Sequence, residues 1–289
     1  MRLHTRLFPV LLSGILLLGC SQKTNKAPTQ RPLNLLVLLD LSDRLTTPEQ
    51  INRDTQLLHH IYRLFHNRVR QQLYINSTDR LQILLAPQRS LPVQTENMET
   101  RLRVYLPDVP MKERAAFLRT HEPLFFSRID SLYHIATTGR KPEAYSGSDI
   151  WKFFDQHLNL YLRRDTNAVN KIIILTDGYF DFELLKDKKQ KGCRYSYSEL
   201  LMRQARTGTI PLQQLFDSCG LLPVTLNQPN ISVMVTEISP KTAGAGETRI
   251  LKTMWGSWLK AMHIGSYQLA EKSELNEVKE QISTFIGNK

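Results

Sequence analysis

The chain has 289 residues, of which 41% are hydrophobic, and it carries a formal net charge of +11 at pH 7. This apolar content is ample for a buried core. The basic residues are scattered, without a nucleic-acid-binding motif or an array of aromatic residues for base stacking, which argues against a nucleic-acid partner. Two interpretations of the charge stay open, a solvated basic surface and an attraction to anionic lipid head groups.

The first 20 residues have the pattern of a targeting segment. Arg2 and Arg6 precede the apolar run Leu7–Leu18, which is too short for an ordinary membrane-spanning helix. The run ends in Leu-Leu-Gly-Cys at residues 17–20 and resembles a bacterial lipoprotein signal. The resemblance implies that residues 1–19 are removed and that Cys20 is acylated with chains such as palmitate. The alternative is a non-lipidated signal peptide in which the cysteine occurs by chance.

Residues 20–32 are predicted to form a flexible tether, because they are polar and include Pro28 and Pro32. Loss of the leader with its two arginines would lower the formal charge from +11 to +9. Ser21, not aspartate, follows the cysteine; in a Gram-negative host this favours the outer membrane, with the domain facing the periplasm. The sequence thus predicts a lipid-anchored protein of the cell envelope.

Residues 33–289 alternate between apolar strand-like runs and amphipathic helical segments. This alternation predicts one α/β domain, a doubly wound and mainly parallel sheet with helices on both faces, interrupted by an irregular insertion at about residues 183–230. The predicted strands are Leu33–Leu39, Arg80–Ala86, Leu102–Leu106, Lys171–Leu175, Ile231–Ile238 and Gly265–Leu269. The predicted helices are Thr47–Leu73, Met111–Ile135, Ser148–Leu162, Glu247–Met262 and Ser273–Ile286.

Two of the predicted strands end in an aspartate. Leu33–Leu39 is followed by Asp40-Leu41-Ser42-Asp43-Arg44, and Lys171–Leu175 is followed by Thr176-Asp177-Gly178. Ligands of open α/β sheets bind beyond the carboxyl ends of the strands, so these side chains are candidates for one site. The alternative interpretation is a strand end with a helix cap, because aspartate and serine are good N-caps.

These loops resemble those of the von Willebrand factor A domain, which carries a D-x-S-x-S motif after its first strand. Ser146-Gly147-Ser148-Asp149-Ile150 is similar to the second loop of that family, with Ser148 where threonine is usual. The resemblance implies a metal-ion-dependent adhesion site built from Asp40, Ser42, Ser148 and Asp177. It also implies Mg²⁺, with Mn²⁺ as a substitute, since these hard cations prefer oxygen ligands.

One residue departs from the family pattern, because Arg44 stands where the motif has its second serine. This change removes a ligand and adds a fixed cation, which would weaken a metal site. Two arrangements are expected. Arg44 either turns outward, or its guanidinium bridges Asp40 and Asp177 and replaces the metal.

The resemblance implies a non-enzymatic binding module that holds an acidic side chain of a protein partner through the metal. One alternative is a structural envelope protein whose site is degenerate and metal-free. The other is a metal-dependent hydrolase, because aspartates at strand ends also serve phosphoryl transfer. The sequence has no Walker loop, nucleophile elbow or dinucleotide-binding glycine pattern, which disfavours an enzyme.

Cys193 and Cys219 are the remaining cysteines once Cys20 is acylated. In an oxidising envelope compartment they are candidates for a disulfide within the predicted insertion. The alternative is an exposed free thiol at Cys193 and a small buried apolar residue at Cys219. Both interpretations stay open, because the sequence does not fix the distance between the two Cα atoms.

Overall fold

The computed structural model describes residues 30–88, 91–139, 147–180, 188–227, 230–241 and 246–287. The predicted leader, Cys20, and residues 20–29 of the predicted tether lie outside the described residues. Arg31–Lys289 forms one compact unit. This unit begins two residues before the predicted start of the domain at residue 33.

The strand Leu33–Leu39 (β1) lies near the middle of a six-stranded sheet because all seven of its residues are buried. The other strands are β2 (Arg80–Leu85), β3 (Arg103–Tyr105), β4 (Val169–Leu175), β5 (Gln190–Lys191), β6 (Arg194–Tyr195), β7 (Ile231–Ile238) and β8 (Ser266–Glu271). The sheet has the order β3-β2-β1-β4-β7-β8, and β5 and β6 form a separate hairpin. Within the described six-stranded sheet, only the short edge strand β3 is antiparallel to its neighbour. The sheet is therefore mainly parallel, as predicted.

Helices cover both faces of this sheet. They are α1 (Gln50–Gln71), α2 (Glu96–Arg101), α3 (Arg114–Thr137), α4 (Ile150–Lys152), α5 (Leu158–Tyr161), α6 (Glu199–Thr207), α7 (Leu212–Cys219), α8 (Glu247–Ala261) and α9 (Leu275–Gly287). A π-helical turn, Phe153–His157, joins α4 to α5. No helix among the described residues is both long enough and apolar enough to cross a membrane.

Alternation along β1 divides the interior into two apolar cores. Leu35, Val37 and Leu39 pack with α1, α3 and α9 on one face, while Leu36 and Leu38 pack with α4, α5 and α8 on the other. Successive side chains of a strand point to opposite faces, so β1, which is apolar at every position except Asn34, must be covered on both faces. This explains the predicted and observed doubly wound architecture.

The first helix begins later than the sequence predicts. The segment Thr47-Pro48-Glu49-Gln50 predicts a helix start with a capping box between Thr47 and Gln50. No such box forms, because α1 starts at Gln50 and its N-cap residue, Glu49, is left-handed at φ 64° without a side-chain cap. The Gln50 amide instead donates to Asp54 over 2.9 Å. The Gln50 side chain therefore bonds to the buried Asp54 carboxylate and does not cap the helix.

The sequence predicts that Pro123 kinks or splits the helix that contains it, but this helix, α3, runs without a break from Arg114 to Thr137. A proline inside a helix removes one hydrogen bond and clashes with the preceding turn. Leu118 and Phe125, on either side of it, are both fully buried in the core. Burial on both sides of the proline holds the two halves in one helix.

The predicted insertion is more regular than the sequence indicated. Within residues 188–227 the chain forms the hairpin β5–β6 and the helices α6 and α7. Leu201, Met202, Leu215 and Phe216 of these helices are buried in the core. The segment is therefore part of the α/β domain and shares its core.

A disulfide joins Cys193, in the turn between β5 and β6, to Cys219 at the end of α7, with the Cα atoms 4.8 Å apart. The disulfide prediction is thus confirmed over the free-thiol alternative. The bond ties the exposed hairpin to a helix that is anchored in the core.

Candidate functional site at the carboxyl end of the sheet

Asp40 and Asp177 lie side by side because β1 and β4 are parallel neighbours that end in register, with Leu39 opposite Leu175. The Asp40 backbone N–H donates to the Leu175 carbonyl over 3.1 Å, which continues the ladder one residue past β1. The predicted meeting of the two carboxylates at one end of the sheet is confirmed. This end, where the parallel strands finish, is called the carboxyl end below, and the opposite one the amino end.

Asp40 is held rigidly by two hydrogen bonds. One carboxylate oxygen, Oδ1, accepts the Ser42 N–H over 2.9 Å, and the other, Oδ2, accepts the Thr176 hydroxyl over 2.7 Å. Thr176 Oγ1 in turn accepts the Gly178 N–H over 3.1 Å. Thr176 therefore links the two loops, and it is a residue for which the sequence analysis assigned no role.

Gly178 makes the turn after Asp177 possible. Its φ is +100°, and an added Cβ would lie 3.3 Å from Ile238 Cγ2. A side chain at this position would meet both backbone strain and crowding. The glycine therefore allows the chain to turn away immediately after the carboxylate.

Asp177 is buried, and one of its oxygens accepts the Tyr179 N–H over 3.2 Å. Burial and the neighbouring charge of Asp40 together raise the pKa of Asp177 from 3.8 to about 7, against the opposing effect of Lys241. The folded state therefore retains this proton between pH 3.8 and about 7, where the unfolded chain has lost it. The contribution to the free energy of unfolding is full below pH 3.8 and is lost as the pH rises through about 7.

Ser148 lies at the same end, beside the last residues of β2. The Asp149 N–H donates to the Pro87 carbonyl over 2.8 Å, and the preceding Ala86 N–H donates to the Leu39 carbonyl over 2.9 Å. The Asp149 carboxylate caps α4 by accepting the Lys152 N–H over 2.6 Å. These bonds place the second loop next to the loop that carries Asp40.

The Ser148 hydroxyl is buried, with the residue 3% exposed, and has no hydrogen-bond partner among the described residues. A buried hydroxyl without a partner is costly, and such groups are rare in folded proteins. The Ser42 hydroxyl makes no capping bond to the 3₁₀ turn Asp43–Thr46 that follows it. Thus the Ser148 hydroxyl has no hydrogen-bond partner among the described residues, and the Ser42 hydroxyl does not cap the turn that follows it.

Arg44 takes neither of the two expected positions. It is 6% exposed, so it does not turn outward, and its guanidinium donates to both Asp54 oxygens over 2.7 and 3.0 Å instead of bridging Asp40 and Asp177. One nitrogen, Nη1, also donates to the Asp40 carbonyl over 3.1 Å. Burial opposes the charge, but the Asp54 carboxylate outweighs it, so the pKa of Arg44 is raised. Arg44 thus supports the first loop from behind.

A buried polar network extends from this ion pair. Asp54 also accepts the Tyr133 hydroxyl over 3.0 Å and the Gln50 amide over 2.9 Å. The same amide lies 3.3 Å from Glu237 Oε2, and Arg53 pairs with both oxygens of Glu237 over 2.7 and 2.9 Å. The loop after β1 and the last residues of β7 are therefore fixed to α1 by charged contacts, which sequence spacing alone did not reveal.

Lys241 brings a positive charge to the mouth of the site. Its ammonium lies 3.0 and 3.1 Å from the two Asp43 oxygens and 3.7 Å from Asp177 Oδ2. Its backbone N–H donates to the Tyr179 hydroxyl over 3.1 Å, which holds the residue at the site. The sequence analysis missed this lysine, because it lies 64 residues after Asp177 in the chain.

The oxygen atoms of Asp40, Ser42, Ser148 and Asp177 are the hard donors that Mg²⁺ and Mn²⁺ accept. Among the described residues, no cluster of three or more His, Cys, Asp or Glu side chains is arranged to hold a metal ion. A pair of carboxylates with two hydroxyls is a different donor set from such a cluster. These four residues are therefore the candidates for holding a cation at this end of the sheet.

Comparison with known proteins adds no relative. No family model matches the chain, and no curated protein sequence is significantly similar to it. The function of the chain must therefore be inferred from the arrangement of these side chains.

Proposed function

We propose that the chain is a membrane-anchored binding module of the cell envelope, similar to a von Willebrand factor A domain. Acyl chains on Cys20 hold it to the membrane. Asp40, Ser42, Ser148 and Asp177 hold a Mg²⁺ ion, which Mn²⁺ can replace, and the ion accepts an acidic side chain of a protein partner. If the host is Gram-negative, the domain faces the periplasm from the outer membrane.

The unpartnered hydroxyl of Ser148 carries the proposal. It is buried at the same end of the sheet as two carboxylates whose mutual repulsion helps to raise the pKa of Asp177 to about 7. A divalent cation would supply the missing partner for the hydroxyl and neutralise the carboxylates. An open coordination position on it would attract an acidic group.

The inward position of Arg44 supports this donor set. Its charge is taken up by Asp54 at 2.7 Å, so it does not need to occupy the space between the two site carboxylates. The motif still has one hydroxyl fewer than the family pattern, which predicts a weaker site. The proposal includes no catalysis, because both carboxylates serve as cation ligands and neither is left to act as a general base.

Lys241 favours a second candidate function, a structural envelope module without metal. Its ammonium lies 3.0 Å from Asp43 and 3.7 Å from Asp177, so it supplies positive charge to the site from within the chain. In this alternative the lysine ammonium, and not a metal ion, neutralises the carboxylates of the site. The two differ in whether binding of a partner depends on added Mg²⁺.

Acylation of Cys20 is the first prediction. Mass spectrometry of the mature protein is expected to find a diacylated or triacylated cysteine as its first residue, and the protein should partition with membranes. Anchoring by more than one acyl chain is firm, so Cys20→Ala should release the chain into the aqueous phase. An intact leader, or a Cys20→Ala protein that stays with the membrane, would contradict the prediction.

Partner binding is the second prediction. Immobilised protein is expected to retain envelope proteins in Mg²⁺ and to release them on chelation, because the ion bridges the site and the acidic group. Asp40→Ala should retain none of these proteins, since it removes a carboxylate ligand. Equal retention with and without Mg²⁺ would instead support the metal-free structural module.

A further inference from the structure

The chain joins the sheet at the amino end, opposite the candidate site. Arg31, two residues before β1, donates to the carbonyls of Asn167 and Thr166 over 3.1 and 3.3 Å. Its own carbonyl accepts Arg68 Nη2 over 2.6 Å. These contacts fix the point at which the chain from Cys20 reaches the domain.

An apolar loop tip projects near this point. The loop follows α1, and its side chains Leu73 and Ile75 are 70% and 51% exposed. Leu73 and Tyr74 both have left-handed backbones, with φ of 54° and 60°. Residues other than glycine seldom adopt this conformation, so the loop that displays these two large apolar side chains is strained.

Arg114 holds the loop tip in this shape. The arginine is 6% exposed, and its Nη1 donates to the carbonyls of Tyr74, Ile75 and Ser77 over 3.2, 3.0 and 2.8 Å. Nε of the same guanidinium donates to the Val109 carbonyl over 3.0 Å. The exposed position of Leu73 and Ile75 is therefore built into the fold by a buried cation.

Two further exposed apolar residues lie at the amino end. Met111, 62% exposed, is three residues before Arg114, and Leu160, 76% exposed, precedes Tyr161, whose carbonyl accepts the Asn34 amide over 2.9 Å. Four of the seven large apolar residues that are exposed in the described part of the chain therefore lie at this end. Together, Leu73, Ile75, Met111 and Leu160 are called the amino-end patch.

Exposed charges near the patch have both signs. Arg31, Arg70 and Lys112 are basic, whereas Asp108 and Glu113 are acidic, and all five are exposed. A mixed charge of this kind does not select strongly for an anionic surface. The apolar side chains must therefore supply most of the attraction for whatever covers them.

We infer that the amino-end patch inserts into the interface of the bilayer that carries the anchor, an inference that rests on the proposed acylation of Cys20. The 11 residue-to-residue steps from Cys20 to Arg31 span at most about 40 Å even when the chain is fully extended. This short connection keeps the patch at a high effective concentration near the lipid. Insertion of only a few apolar side chains into the bilayer is therefore enough to maintain contact. The candidate site, at the opposite end of the sheet, then faces away from the membrane toward a partner.

Depth measurement on tethered protein tests the inference. Protein comprising residues 20–289 is coupled through the Cys20 thiol to a maleimide lipid in phosphatidylethanolamine–phosphatidylglycerol vesicles. Cys193 and Cys219 do not react, because they form the disulfide. Chemical coupling makes the result independent of whether cells acylate Cys20.

Leu73→Trp and Ile75→Trp report insertion through quenching by brominated lipid, after subtraction of the quenching of the unsubstituted protein. Val93→Trp is the matched control, since Val93 is 72% exposed on the connection that leaves the carboxyl end of β2. The inference predicts several-fold stronger quenching and a blue-shifted emission at residues 73 and 75 than at residue 93. Equal quenching at the two ends, or none at residues 73 and 75, would overturn it.

Discussion

Replacing Asp54 by alanine is expected to lower the free energy of unfolding by about 3–5 kcal/mol, because it leaves the buried Arg44 guanidinium without its carboxylate. The pair is joined by two hydrogen bonds of 2.7 and 3.0 Å, and Asp54 itself is 0% exposed. The substitution also removes the partner of the Tyr133 hydroxyl, which donates to Asp54 over 3.0 Å. Urea denaturation followed by circular dichroism measures the change.

Glu199→Ala is the matched control for Asp54→Ala. Glu199 pairs with Lys188 over 3.0 Å and with Arg203 over 3.4 Å on the exposed surface of α6, where an ion pair contributes about 0–1 kcal/mol. A similar small loss for both variants would show that Arg44 does not depend on Asp54.

Arg44→Ser alone would restore the missing ligand of the proposed metal site, but it would also destabilise the fold. It would leave the buried Asp54 carboxylate unpaired, with a loss of stability of the same order as that of Asp54→Ala, about 3–5 kcal/mol. Combining Arg44→Ser with Asp54→Asn removes both charges. The double variant is therefore the one in which a gain in cation affinity can be interpreted.

Removal of the disulfide is expected to lower the free energy of unfolding by about 3 kcal/mol in the chain-entropy picture. The bridge closes a loop with a sequence separation of 26 residues and ties the β5–β6 hairpin to α7. The change is made by Cys193→Ser with Cys219→Ser, in a Cys20→Ser background so that no other thiol takes part. The variant and its parent, which keeps the bridge, are compared by urea denaturation.

Dithiothreitol provides an independent check, because Cys193 is exposed and the reductant can reach it in the folded protein. Reduced parent protein should match the double serine variant in stability. An unchanged unfolding midpoint in both would show that the bridge constrains little of the unfolded chain.

The position of the site was predictable because the buried runs before Asp40 and Asp177 identify the central strands of a doubly wound sheet. Once two parallel strands are placed, their carboxyl ends must share one end of the sheet. An apolar run followed by an aspartate consists of consecutive residues, so it can be recognised without knowing the fold. The alternating burial of β1 between two helical layers follows from the same run.

The surroundings of the site were less predictable because its partners come from distant parts of the chain. Lys241 contacts Asp43 in the first loop, and Glu237 contacts Arg53 in α1. Both contacts form only because β7 takes its place in the sheet. Asp54 did leave a signal, since it falls on the same helix face as Leu57, Leu58 and Ile61. A carboxylate in such a buried stripe requires a cation, and the fold supplies Arg44, which lies ten residues earlier in the chain.

The helices of the predicted insertion could not be predicted from the sequence for a different reason. Its helices α6 and α7 contain only nine and eight residues, so their apolar stripes are short and are interrupted by polar positions. Packing of Leu215 and Phe216 against the core, which is a tertiary effect, stabilises what local pattern alone leaves weak.

Isothermal titration calorimetry of Mg²⁺ and Mn²⁺ against the purified protein tests the central claim that this end of the sheet holds a divalent cation. Binding of one ion per chain is predicted, abolished by Asp40→Ala and weakened by Ser148→Ala, since each removes a proposed ligand. Lys241→Met should strengthen it by removing a competing positive charge 3.7 Å from Asp177. Absence of binding in both the parent and Lys241→Met, or equal binding by Asp40→Ala, would contradict the claim.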